Sequence, residues 1–136
     1  MIATGDERMA RIYIASSWRN EVAARELAAF LREAGHEVDC FCDPSTGRFV
    51  FNVPLPDRPH LDAKTFLESD ARARQAFRED RAWIEWADVL VMLLPCGKSA
   101  HLEAGYARGL RKTVIIYGDF PKGEIEVMYG FAHALV

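Results

Sequence analysis

Residues 88–118 read DVLVMLLPCGKSAHLEAGYARGLRKTVIIYG. The stretch opens on the most apolar run of the chain, DVLVMLL (88–94), which predicts a central strand. SAHLEAGYARGL (99–110) predicts a helix and KTVIIYG (112–118) a second strand. A strand, a helix and a strand in this order form a unit whose two strands lie parallel. Upstream, RIYIA (11–15) reads as a buried strand. EVAARELAAFLREAG follows as a helix, with Val22, Leu27, Phe30 and Leu31 on one stripe and Gly35 as its stop. HEVDCFC (36–42) alternates like another strand. Residues 43–61 hold several prolines and no clear period, so they predict a long loop, a feature that marks either function or disorder in a compact domain. Residues 62–87 predict a helix broken near Ser69 and Asp70, and EIEVMYGFAHALV (124–136) predicts a closing helix. The whole predicts one α/β domain over residues 1–136. Its architecture is a flavodoxin- or Rossmann-like parallel sheet with helices on both faces. Ligands of such sheets sit beyond the carboxyl ends of the strands, so the loops Ser16–Asn20, Asp43–Leu61 and Pro95–Ser99 are the candidates.

Composition narrows the partners. The chain has 136 residues, half of them hydrophobic, and a formal net charge of -3. No Lys/Arg block stands out, which argues against a nucleic-acid footprint but leaves room for a small anionic substrate. No segment reaches the roughly 18 apolar residues of a membrane span. The opening MIATGDERMARIYIA has no signal-peptide core, and the three cysteines, Cys40, Cys42 and Cys96, include no CxxC. The expected setting is cytoplasmic, with no disulfide framework.

The loop after the central strand contains GKS, the end of a nucleotide-binding P-loop. The full pattern needs a glycine five residues before Gly97, where the chain has Met92. An ATPase is therefore excluded, and the GxGxxG dinucleotide pattern is absent too. Gly97, Lys98 and Ser99 still lie at the predicted start of a helix, where free amides attract an anion; Ser99 as an ordinary helix cap explains them equally well. Glu103 falls in what reads as the first turn, where a carboxylate is electrostatically favoured whatever its role. Small neighbours, Ala100, Ala104 and Gly105, would let a substrate approach it closely. Asp80, three before Trp83 and four before Ile84, borders an apolar stripe that would desolvate it; a solvated charged face is the plainer alternative. Ser16, Ser17 and Arg19 suit a phosphate or a ribose, or simply a turn and cap. Trp18, Phe49 and Phe51 could stack on a planar base or merely anchor loops. His101, Glu103 and Cys96 lack metal-ligand spacing, so neither a metal nor any other cofactor is expected.

Taken together, RIYIASSWR, DRAWIEWADVLV and HLEAGYARGLRKTVIIY resemble the nucleoside 2-deoxyribosyltransferase superfamily, which includes 2'-deoxynucleoside 5'-phosphate N-hydrolases. The resemblance runs over residues 11 to 118. Its most specific part is an Asp eight residues before the Asp that opens the central strand, followed by an E-x-G-x-A helix start. These are Asp80, Asp88 and Glu103-Gly105-Ala107. The resemblance implies that Glu103 is the nucleophile and that Asp80 orients the substrate and moves a proton to the leaving base. It implies that Ser17 and Arg19 belong to the substrate pocket, and that Gly97 and Ser99 lie in the loop that holds a 5'-phosphate. The transferases of the superfamily carry another Asp six residues before the nucleophile, where this chain has Gly97. The implied activity is therefore cleavage of the N-glycosidic bond of a (deoxy)nucleoside or its 5'-monophosphate, with release of free base. Base exchange by a deoxyribosyltransferase and a non-catalytic nucleotide sensor are the alternatives, and NAD is a remote substrate candidate through related TIR-like sheets. The partners implied are a small nucleoside or nucleotide and further copies of the chain, as a homodimer or higher homo-oligomer. In this chemistry Glu103, beside Lys98, is expected to stay ionised while Asp80, against aromatics, holds a proton.

Overall fold

Apolar β-branched runs alternating with amphipathic helices bury their surface by stacking helices on both faces of a parallel sheet. The computed structural model, which describes residues 9–44, 47–51 and 59–136, has this arrangement. In chain order the elements are β1 (Arg11–Ala15), a 3-10 turn (Trp18–Asn20), α1 (Glu21–Glu33) and β2 (Glu37–Cys40). After residues 43–61 come α2 (Ala63–Ser69), α3 (Ala71–Trp86), β3 (Val89–Leu93), α4 (Lys98–Gly109) and β4 (Thr113–Tyr117). A 3-10 segment (Val127–Phe131) and β5 (Ala134–Leu135) close the chain. The strand order is β2-β1-β3-β4-β5, and every pairing is parallel. This is the flavodoxin-like order, so the sheet is doubly wound.

Period-2 alternation along the strands divides the core into two layers. Ile12, Ile14, Val38, Cys40, Val91 and Leu93 face α1, through Ala24 and Ala28. Tyr13, Ala15, Leu90, Met92, Val114 and Ile116 face α3 and α4, through Ile84, Ala100, Ala104 and Ala107. Gly35 ends α1 with a φ of 100°, a conformation that glycine adopts without the Cβ clash of other residues. The predicted break near Ser69 is real: Asp70 closes α2 and caps α3, accepting from the Arg72 amide. Parts of the long loop expected over 43–61, residues 45–46 and 52–58, lie outside the described residues.

The expected closing helix over 124–136 is corrected. Only Val127–Phe131 is helical, as one 3-10 stretch, and the next residues join the sheet. The edge of β4 offers unpaired backbone groups, and the chain takes them: His133 N–H donates to Val114 O at 2.8 Å and Val136 N–H to Ile116 O at 2.9 Å. Sheet pairing outweighs a helical tendency that Gly130 already weakens. Among the described residues, no helix is long and apolar enough to cross a membrane.

Candidate active site

In the observed strand order, the connection from β1 to β2 leaves to one side and that from β3 to β4 to the other. The loops after β1 and β3 therefore diverge and leave a crevice at the carboxyl end of the sheet. Hydrogen bonds fasten its floor. Ser16 Oγ donates to Leu93 O at 2.8 Å, and Asn20 Nδ2 donates to Leu94 O at 3.2 Å. Gly118 seats itself against the same strand end: with φ at 137°, a Cβ there would stand 2.9 Å from Leu94 O.

A cavity of about 280 Å³ occupies the crevice. Tyr13, Ser17, Trp18, Arg19, Phe51, Asp80, Gly97, Lys98, Ser99 and Glu103 all line it. Every site residue read from the sequence is thus at one place except Phe49, which stacks behind Phe51 at 6.0 Å between ring centroids and does not reach the cavity. Trp18 packs edge-on against Phe41 at 5.1 Å. Ser17 Oγ accepts from the Arg19 amide at 3.3 Å, so its turn-capping role is present. The Arg19 guanidinium and the Lys98 ammonium pair with no described residue and stand exposed at the mouth. A second cavity of about 740 Å³ opens on the far side of the carboxylates. It shares Phe51, Asp80, Ser99 and Glu103 with the first, and Phe66, Phe77, Ile84, Leu102 and Tyr106 give it an apolar wall.

Helix α4 starts earlier than the sequence suggests. Gly97, not Ser99, is its N-cap, and no side chain caps it. Glu103 consequently lies beyond the first turn, so the helix dipole does not account for it. Nor do the small residues around it all serve the site: Ala100 lines the cavity, whereas Ala104 and Gly105 line a separate pocket beside Tyr129. His101 faces that side too, with its Nε2 3.0 Å from the Tyr129 hydroxyl. Cys96 is a free thiol whose pKa burial pushes up to about 11, leaving little thiolate for nucleophilic attack.

The carboxylates are held by three residues that motif reading missed. Tyr13, on β1, donates its hydroxyl to Glu103 Oε2 at 2.7 Å. Asp39, on β2, is the register partner of Tyr13 and is 3% exposed. Arg48 joins them: Nε and Nη2 donate to Oδ1 and Oδ2 of Asp39 at 2.8 and 2.9 Å, and Nη1 donates to Asp80 Oδ1 at 2.6 Å. Burial disfavours the Arg48 charge, but its hydrogen bonds to Asp39 and Asp80 outweigh that and raise its pKa. The available signal was Asp39, an acid set between Val38 and Cys40 on the buried part of β2.

Burial raises Asp80 as expected, and it raises Glu103 as well, which is not expected. Burial pushes the Glu103 carboxyl up to about 7, against the hydrogen bond from Tyr13 that favours ionisation. Burial also raises Asp80, while its Arg48 bond pulls the other way. Glu103 is therefore the carboxyl poised near neutrality, and Asp80 is the one with a cationic partner.

The class that fold and site define is a flavodoxin-like α/β domain with two carboxylates at its topological switch point. Solved structures that share this fold include these two. One is the 2-deoxyribosyltransferase of Bacillus psychrosaccharolyticus, with a TM-score of 0.66 and 21% identity over 93% of this chain and 85% of that one. The other is the Clostridium botulinum CMP N-glycosidase BcmB, with a TM-score of 0.57 and 17% identity over 93% of this chain and 87% of that one. No family model and no curated protein matches the sequence. The parallel α/β fold expected from the sequence is thus the fold that these two structures share with the chain.

Proposed function

We propose that this protein cleaves the N-glycosidic bond of a nucleoside or deoxynucleoside, or its 5'-monophosphate, through Glu103. The observation that carries this is the convergence of Glu103 and Asp80 on one cavity at the switch point, with the Tyr13 hydroxyl on Glu103. Support also comes from the two solved relatives in fold, one a 2-deoxyribosyltransferase and the other a CMP N-glycosidase.

In the proposed reaction the bond between C1' and the base nitrogen breaks, and its electron pair leaves with the base. The Glu103 carboxylate stabilises the developing cation at C1' or captures it covalently. Asp80, its carboxyl protonated, orients the substrate and passes that proton to the departing base. Water then attacks C1', displaces Glu103 and loses its proton to the Asp80 carboxylate, which restores both acids. Hydrolysis is preferred to base exchange because Gly97 occupies the position where the transferases carry their further Asp.

Arg19 and Lys98 give the cavity mouth a positive edge beside the hydroxyls of Ser17 and Ser99. A 5'-phosphate is the substrate group that suits these donors. The monophosphate should therefore exceed the bare nucleoside in kcat/KM by tenfold or more, since one charge-assisted contact is worth about 1.5–3 kcal/mol. Arg19→Ala should erase most of that ratio. Steady-state kinetics on matched pairs tests this, and equal kcat/KM for both members of every pair would remove the phosphate from the proposal.

The chain is further proposed to act as a homodimer or higher homo-oligomer. Trp83 and Trp86, three apart on α3, pack edge-on at 4.8 Å and are half-buried against the core, so they argue little for a contact. Support comes instead from Phe77 on α3 and Leu102 on α4, which are 58% and 75% exposed on the wall of the larger cavity. Light scattering at tens of micromolar should give at least twice the chain mass of 15.4 kDa, and a monomer would remove this part of the proposal.

A further inference from the structure

Arg48 lies in a loop without any motif, yet it contacts Asp39, Asp80 and the ring of Tyr13. Its side chain is 2% exposed, as is that of Asp39, and it spends three N–H groups on two acids from separate elements. Its Cζ lies 5.9 Å from the centroid of the Tyr13 ring, and Tyr13 in turn holds Glu103. Asp39, Asp80 and Glu103 thus gather around one buried guanidinium. Only Oδ1 of Asp80 is engaged; Oδ2 accepts no hydrogen bond from a described residue. Resting on the proposed glycosidase function, we infer that Arg48 is the positioning residue of the site: it anchors Asp80 by one oxygen, leaves the other for the substrate, and supplies the positive charge that lets Glu103 ionise beside the acids Asp39 and Asp80.

Charges around the pair come from every neighbouring element. Tyr13 on β1 and Cys96 after β3 stay protonated, since burial raises the first well above its ordinary value and the second to about 11. Asp39 on β2 and Glu79 on α3 add negative charge next to Asp80. Arg19, Lys98 and Arg81 line the two cavities but are exposed, where water screens them. Arg48 alone among the described cations is buried against the carboxylates.

Opposite substitutions test this by sign. Arg48→Gln removes the cation and should move the acid limb of kcat/KM upward by about one pH unit or more. Asp39→Asn removes an anion and should move it downward. Arg48→Lys keeps the charge but not the planar fork, so kcat should fall with the limb in place. A merely structural residue would lower activity at all pH values without moving the limb. Carbon-13 carboxyl NMR of Glu103 in substrate-free protein should shift in the same two directions, and this readout stands even if no nucleoside is turned over. Should Arg48→Gln fail to fold, Asp39→Asn decides alone. A downward shift supports the inference, and an unchanged or upward one overturns it. Shifts of the same sign in both variants would overturn it as well.

Discussion

Glu103→Gln should release base about three orders of magnitude more slowly than the parent, or slower still, while melting at a higher temperature at pH 8. The rate falls because the missing charge acts mainly in the transition state, where positive charge builds at C1'. Ligand affinity should change far less, because the amide is nearly isosteric and its oxygen can still accept from Tyr13. The stability gain follows from the carboxyl's titration. Its pKa in the folded protein is about 7, above the ordinary 4.5. A raised pKa gives stability that is full below the ordinary value and lost as pH rises through the folded one. At pH 8 the buried carboxylate thus costs roughly 3 kcal/mol, which the neutral amide avoids. The two melting curves should converge near pH 5 as the parent becomes protonated. Kinetics with scanning calorimetry on one preparation checks both halves. A variant that loses stability at pH 8 and keeps its rate would make Glu103 a structural residue. The same titration sets the parent's pH profile: activity should fall as pH drops through about 7, where the nucleophile takes up a proton.

Asp80→Asn should lower turnover by about 10²–10⁴, the usual range for a positioned proton carrier. The effect should fall on kcat more than on KM, since a proton passed to the leaving base matters in the transition state. Arg48 keeps both bonds to Asp39 in this variant, so the fold should be preserved and its melting temperature little changed. Kinetics on base release together with a thermal melt would reveal this pattern. An Asp80→Asn enzyme within a few-fold of the parent rate would leave Asp80 as a surface acid that happens to meet Arg48.

Much of this fold is legible in sequence because its strands are short apolar runs punctuated by helix signals. Val89–Leu93 and Thr113–Tyr117 announce themselves in this way, and Asp70 announces the break between α2 and α3. The last strand is not legible. Ala134–Leu135 becomes a strand only because β4 presents an open edge, which no local pattern records. The cap of α4 misleads for a related reason: Ser99 has the right chemistry for an N-cap, but the helix already begins at Lys98. In the site, Glu103 and Asp80 are visible through an ordered resemblance spread along the chain. Tyr13 is hidden because an aromatic residue in RIYIA reads as core, and it is core on every side but its hydroxyl. Arg48 is hidden because it meets Asp39 and Asp80 from 9 and 32 residues away, a meeting that only the folded chain brings about.

The most direct test of the central claim is chromatography of the products that the unaltered protein forms from nucleosides, deoxynucleosides and their 5'-monophosphates in the absence of any acceptor base. The account predicts free base and free sugar, or sugar phosphate, in equal amounts from at least one of these substrates. Base exchange seen only when an acceptor is added, or tight nucleotide binding with no base released, would contradict it.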